Sequence, residues 1–184
     1  MSFRYEVRLS GAGGQGLILA GKVVAEAAAI YDKKNATQSQ SYGPEARGGA
    51  SRSEVIISDD VIDYPKAEHL DFLLALTQEA CDKYCGDLKD DGILLVDSQF
   101  VQKVPEKKAR VFKVPITEIA KNELGRALVA NLLALGIFTA LSGAVSAEAV
   151  EAAILSRVPK GTEELNLNAF RRGLELGRQL SPHG

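Results

Sequence analysis

Polar and apolar residues alternate from Phe3 to Leu9, and the segment runs directly into Gly11-Ala12-Gly13-Gly14-Gln15-Gly16. Apolar residues then recur at helical spacing from Leu17 to Ile30. Alternation predicts a half-buried strand and the 3.6-residue period a helix, so the glycines occupy the turn of a strand–turn–helix unit. In such a unit Gly11 permits the tight turn out of the strand. Gly13 and Gly14 remove side chains where a ligand or another backbone comes close, and Gly16 lets the helix pack on the sheet. The helix N-terminus offers free N–H groups and a partial positive charge to an anion. A phosphate-bearing cofactor would use this geometry, and so would close packing against a protein partner or against a second loop of the chain.

The rest of the chain repeats the strand–helix theme. The first helix should stop near Tyr31–Lys34, and a short polar strand is expected over Ala36–Gln40. Ser51–Ser58 reads as the next strand. Asp59-Asp60 signals a turn, after which Val61-Ile62-Asp63 could return as a short antiparallel partner and make the sheet mixed. Asp71–Leu76 and Gly92–Val96 are nearly continuous apolar runs, as expected of central strands covered on both faces. Thr77 can cap a helix running to about Leu88. Arg110–Val114 makes one more strand, ended by Pro115. Helical patterns then cover Ile116–Glu123, Gly125–Ser142, Ser146–Arg157 and Glu163–Leu180. This order predicts an α/β fold, a three-layer α/β/α Rossmann-like sandwich with a mostly parallel, mixed sheet. The 184 residues, without repeats or low-complexity linkers, fit one domain spanning 1–184.

Composition removes several function classes. A formal net charge of −2 gives no broad electrostatic footprint for nucleic acid or anionic lipid, so an anion site must be local. The longest apolar stretch, from Ala127 onward, is interrupted by Asn131 and falls short of the roughly 20 residues of a membrane span, so a buried core helix is expected. The N-terminus carries no basic start followed by an apolar run, and a cytoplasmic location is expected. Cys81 and Cys85 are the only cysteines, and His69 and His183 the only histidines. The cysteine spacing could place both thiols on one helix face. A zinc site or an iron–sulfur cluster needs about four ligands, so the plain reading is two ordinary semi-buried thiols and no metal centre in this chain. No Ser/His/Asp set is apparent, and no catalytic residue is assigned.

A second cluster, Ser41-Tyr42-Gly43-Pro44-Glu45-Ala46-Arg47-Gly48-Gly49, lies about one βαβ step after the first, with Arg52 just beyond it. It concentrates a phenol (Tyr42), a carboxylate (Glu45), two guanidiniums (Arg47 and Arg52) and the glycines Gly43, Gly48 and Gly49. Arginine in a fixed fork suits carboxylate or phosphate, and adjacent glycines let the backbone donate as well. The plainer reading is a surface turn with an ion pair from Glu45 to Arg47 or Arg52, worth about 0–1 kcal/mol if exposed. A dinucleotide site would also require an acid roughly 20 residues past the glycines, at the end of the second strand. That strand ends Thr37-Gln38-Ser39-Gln40, and Asp32 comes too early, which counts against a free-standing dinucleotide-binding oxidoreductase. Thr77-Gln78 and Asp97-Ser98 fall at strand C-terminal ends, where they either line a ligand crevice or cap the segments that follow. Asn131, polar within an apolar helix, is expected to make an interhelical hydrogen bond.

Taken together, the Gly11–Gly16 turn, the Ser41–Gly49 loop, the Ser53–Ser58 strand and the Asn131-Leu-Leu-Ala-Leu-Gly136 helix resemble the gamma subunit of the 2-oxoacid:ferredoxin oxidoreductases. The resemblance covers nearly the whole chain, and Tyr42-Gly43-Pro44-Glu45 looks most like the 2-oxoglutarate type. Pyruvate-type relatives tend to carry Phe-Gly-x-Glu-Arg-Arg-Gly in this loop, and the indolepyruvate type His-Gly-x-x-x-Arg-Gly-Gly. The same role in a pyruvate, 2-oxoisovalerate or indolepyruvate enzyme stays open. The resemblance implies a complex using thiamine diphosphate with magnesium, iron–sulfur clusters and coenzyme A, with none of the cofactors held by this chain alone. Its partners would be alpha and beta subunits, with delta as an optional further one, and ferredoxin through the complex. Gly11, Gly13, Gly14, Gln15, Gly16, Tyr42, Glu45, Arg47, Gly48, Gly49 and Arg52 would then face the coenzyme A phosphates or the alpha/beta interface.

Overall fold

The computed structural model describes residues 2–41 and 50–181. Six strands and six helices follow in the order β1 (Arg4–Ala12), α1 (Leu17–Glu26), β2 (Asn35–Ser41), β3 (Ala50–Ser58), β4 (Leu70–Ala75), α2 (Gln78–Tyr84), β5 (Leu88–Asp97), β6 (Arg110–Val114), α3 (Ile116–Leu124), α4 (Ala130–Ser142), α5 (Ala147–Arg157) and α6 (Glu163–Leu180). The strands form one sheet in the order β2-β3-β1-β4-β5-β6. The pairs from β1 through β4 and β5 to β6 are parallel, and β3 runs antiparallel to both of its neighbours.

The sheet is therefore mixed, as expected, though for a different reason. Val61–Asp63 form no strand. Both edges of β3 are already occupied, by β1 on one side and β2 on the other, so a chain turning back after Ser58 finds no free ladder to join. Two boundaries also move. The helix expected to reach Leu88 ends at Tyr84 and passes through a tight turn over Cys85–Asp87. β5 accordingly begins at Leu88 rather than Gly92, with Leu88 paired to Leu70. Gly125 closes α3 in a left-handed conformation (φ 79°) instead of opening the next helix.

Helices cover the two faces unequally. One face carries α1, α3, α4, α5 and α6 over a core that includes Val7, Leu9, Val55, Ile57, Phe72, Leu74 and Leu95. The central helix α4 is apolar on nearly every side, the pattern of a helix enclosed by others, and from Ala130 to Thr139 all its residues are buried. Its close partner is α6. A Cβ on Gly136 would meet the Phe170 carbonyl oxygen, and one on Gly173 the Leu133 carbonyl oxygen, so the two backbones touch where glycines face each other. On the opposite face, among the described residues, α2 and neighbouring loops cover Leu73, Leu94 and Val96 of β4 and β5. The same face of β1 and β3 presents Glu6, Arg8, Arg52 and Glu54 instead.

Candidate functional site

The glycine turn is shaped differently from the expected scheme. Gly11 lies inside β1, paired with Ser51, and makes no turn. Its missing side chain leaves room for Gln15, whose Oε1 accepts the Ala12 N–H at 2.7 Å. Gly16 sits at φ 75° as the N-cap of α1. It faces α4 rather than the sheet, for a Cβ there would strike Asn131 Nδ2. The close approach of α1 to the sheet is made by Gly21, which abuts Ser53 Oγ. Among the described residues nothing stands where a Cβ on Gly13 or Gly14 would lie.

Residues 42–49 lie outside the described residues, and with them Tyr42, Glu45, Arg47, Gly48 and Gly49. The segments flanking them are placed. Ser41 is in register with Arg52, Ser51 with Gly11, and Ala50 with Ala12, which brings the ends of the second cluster beside the glycine turn. A groove of about 300 Å³ runs between the turn, from Ala12 to Ile18, and Ser41, Ser51 and Arg52. Arg52 also lines a wider groove of about 760 Å³ with Arg8, Glu54, Lys66 and Asp87.

The charges around Arg52 form one network. Its Nε lies 3.1 Å from Glu54 Oε1, and Arg8 Nη2 approaches the same oxygen at 3.3 Å. Arg8 is 2% exposed; it also pairs with Asp87 and donates to the Ala67 carbonyl at 3.0 Å. Both guanidiniums stand over the ring of Tyr84 in α2, at 5.0 and 5.5 Å from its centroid, within cation–π range. Sequence reading missed Arg8 and Tyr84. An arginine at an alternating strand position reads as a solvated face until the antiparallel pairing of Arg8 with Glu54 is known.

The remaining candidates are structural. Asp97 is fully buried, and its carboxylate accepts from Thr117 N–H at 2.9 Å, Thr117 Oγ1–H at 2.6 Å and Gln99 N–H at 3.1 Å. Thr77 Oγ1 caps α2 by accepting from Ala80 N–H, and Gln78 Oε1 accepts from the N–H groups of Gln102 and Lys103. Asp32 holds Ser146, the N-cap of α5, accepting its N–H and its hydroxyl at 2.8 and 2.7 Å. A dinucleotide fold places its second strand beside the first. Here β3 intervenes, so the end of β2 is about 10 Å, two strand spacings, from β1. Between β1 and β4, where the chain reverses its direction of winding, a smaller cavity of about 260 Å³ is lined by Gly14, Gln15, Leu76, Thr117 and Leu128. Among the described residues no three His, Cys, Asp or Glu side chains converge to hold a metal ion. No helix among them is long and apolar enough to cross a membrane.

These features define an α/β protein of Rossmann-like class in which a glycine turn lies beside an arginine at the head of an antiparallel strand. The family described as pyruvate ferredoxin/flavodoxin oxidoreductase matches residues 6–176, and the chain belongs to it. It is 53% identical over 182 residues to the 2-oxoglutarate synthase subunit KorC of Methanocaldococcus jannaschii, a match covering 98% of this chain and 97% of that one. Its fold is similar to the gamma subunit of a keto/oxoacid ferredoxin oxidoreductase from Geobacter sulfurreducens, with a TM-score of 0.87, 59% identity and coverage of 95% and 99%. It is also similar to the pyruvate oxidoreductase subunit PORC of Thermotoga maritima, with a TM-score of 0.78, 29% identity and coverage of 94% and 96%.

Proposed function

We propose that residues 1–184 form a single gamma domain of a 2-oxoglutarate:ferredoxin oxidoreductase. The complex oxidatively decarboxylates the 2-oxoacid with coenzyme A to acyl-CoA, CO2 and reduced ferredoxin. The observation that carries this reading is the 53% identity, over nearly the full length of both chains, to a 2-oxoglutarate synthase subunit. Identity to the pyruvate-type subunit of Thermotoga maritima is 29%. Thiamine diphosphate with magnesium and the iron–sulfur clusters belong to the other chains of such a complex, alpha and beta among them. This chain brings no metal-binding cluster among its described residues.

Its own contribution is the ligand edge. The N–H groups of Gly13–Gly16 and the Arg52 guanidinium, with Arg47 assigned to the same surface on its sequence alone, face the coenzyme A phosphates or the alpha/beta interface. The groove from the glycine turn to Arg52 supports that assignment. A tagged copy of this chain should co-purify with alpha and beta subunits from its native cell. The recovered complex should reduce ferredoxin fastest with 2-oxoglutarate among 2-oxoglutarate, pyruvate, 2-oxoisovalerate and indolepyruvate, and the isolated chain should not turn over. Preference for another 2-oxoacid overturns the substrate, and recovery without oxidoreductase subunits overturns the whole reading.

A further inference from the structure

The chain's two cysteines are within hydrogen-bonding distance of each other. Cys81 Sγ and Cys85 Sγ lie 3.3 Å apart as free thiols, and both side chains are buried against the underside of the sheet. Cys81 is in α2, and Cys85 opens the tight turn that follows it. Between them Tyr84 carries Arg8 and Arg52 over its ring. The thiol pair is thus one residue away from the aromatic support of the arginine that lines both grooves.

Four residues of helix separate two Cα atoms by about 6 Å, inside the range of about 4.4–6.8 Å that disulfides span. Helical Cβ atoms at this spacing stand about 5–6 Å apart, whereas a disulfide needs about 3.5–4.5 Å. Bond formation therefore requires the turn from Cys81 to Cys85 to tighten. The backbone already leaves α-helical geometry at Cys85, and Tyr84 lies inside the loop that would close.

We propose that Cys81 and Cys85 form a peroxide-sensitive dithiol whose oxidation to a disulfide displaces Tyr84 and, through it, Arg52. The hydrogen bond between the thiols lowers the Cys85 pKa and raises that of Cys81; burial and Asp82 work against both thiolates, and Lys107 favours that of Cys85. Cys85 is therefore the thiolate that attacks. Its sulfur bonds to one oxygen of hydrogen peroxide as the O–O bond breaks, and the departing hydroxide takes up a proton to leave as water. Cys81 sulfur then attacks the sulfenic sulfur: the S–S bond forms, the S–O bond breaks, and the second water leaves with the Cys81 proton. Two thiols are oxidised to one disulfide while one peroxide is reduced to two waters. Peroxide reaches the pair by local opening of α2, which has only seven residues.

Trypsin cuts between the two cysteines, at Lys83, so peptides 67–83 and 84–89 carry one cysteine each. The full-length chain is treated with hydrogen peroxide, its free thiols are blocked, and the digest is read by mass spectrometry. The expected product is the 67–83/84–89 cross-linked pair from monomeric protein, released by dithiothreitol and absent in Cys81→Ser, where dimedone traps a Cys85 sulfenic acid. Amide hydrogen exchange at 78–87 and at 50–54 should rise on oxidation of the wild type and stay constant in Cys85→Ser. Unmodified thiols, sulfonic acid without a cross-link, or a cross-link only between chains would overturn the dithiol. A cross-link that leaves exchange at 50–54 unchanged would overturn its coupling to Arg52.

Discussion

Asn131 donates its Nδ2–H to the carbonyl oxygen of Gly16 at 3.1 Å, tying the first turn of α4 to the residue that opens α1. Its Oδ1 meanwhile accepts the Leu132 N–H at 2.9 Å. The glycine turn is thereby held by a side chain 115 positions away in the sequence, and the same side chain occupies the space a Gly16 Cβ would need.

Gly16→Ala and Asn131→Ala should therefore be coupled. Gly16→Ala carries the left-handed backbone cost of about 1–2 kcal/mol together with the clash against Asn131. Asn131→Ala should lose about 1 kcal/mol, the net value of a typical hydrogen bond. Removing the Asn131 side chain relieves the clash, so the double variant should unfold in urea at a higher concentration than the summed losses imply, with a coupling of roughly 0.5–3 kcal/mol. Strict additivity would show that Asn131 does not shape the turn.

The contact between α4 and α6 gives a sharper test of packing. Gly173→Ala drives a Cβ into the backbone at Leu133, and no side-chain rotation can relieve it. The loss should reach or exceed the ~1–3 kcal/mol of an overpacked core, read as a lower midpoint of thermal unfolding. A Gly173→Ala chain as stable as the wild type would mean that the two helices are farther apart.

Which parts of this architecture sequence alone reveals follows from how local the cause is. The 3.6-residue period gives α6 its observed limits, Glu163–Leu180, because an amphipathic pattern needs no partner to be read. Capping chemistry is equally local: Thr77 caps α2 as its position suggests, and Ser146, at the start of the helical pattern read over 146–157, is found as the cap of α5. The direction of β3 is not local. It depends on β3 entering between β1 and β2, which no turn signal near Asp59 encodes. The candidate site divides the same way. Glycines mark the turn, while its reshaping by Gln15 and Asn131, and the Arg8–Tyr84–Arg52 stack beside it, arise only once distant strands pair.

Acid should weaken one link between helices. Arg172 of α6 makes a two-pronged contact with Glu123 of α3, at 2.6 and 3.3 Å, and this holds the Glu123 carboxyl below its ordinary pKa of 4.5. The folded protein then binds fewer protons at this site than the unfolded chain, so the contribution is complete above about pH 4.5 and is lost as pH falls through the depressed value. Both groups are substantially exposed, which keeps the effect under about 1 kcal/mol and makes it sensitive to salt. Glu123→Gln should lower the unfolding midpoint at neutral pH in low salt, and the difference from wild type should vanish at acid pH. A difference that persists there would assign it to something other than this charge.

The ligand edge can be probed at two positions that should leave the fold intact. Gly13 has open space at its Cβ position and no left-handed backbone requirement, so Gly13→Ala should keep stability within about 0.5 kcal/mol of wild type, the usual range for surface changes. Arg52→Ala removes a partly exposed guanidinium from the junction of two grooves. If that edge holds the coenzyme A phosphates, each variant complex should assemble normally and show a raised KM for coenzyme A with little change in KM for the 2-oxoacid. For Arg52→Ala the rise should be roughly tenfold, matching the ~1.5 kcal/mol of a charge-assisted hydrogen bond. If the edge instead contacts the alpha and beta chains, the yield of assembled complex falls while KM for coenzyme A stays constant. Normal assembly together with unaltered coenzyme A kinetics in both variants would remove the glycine turn and Arg52 from the functional surface.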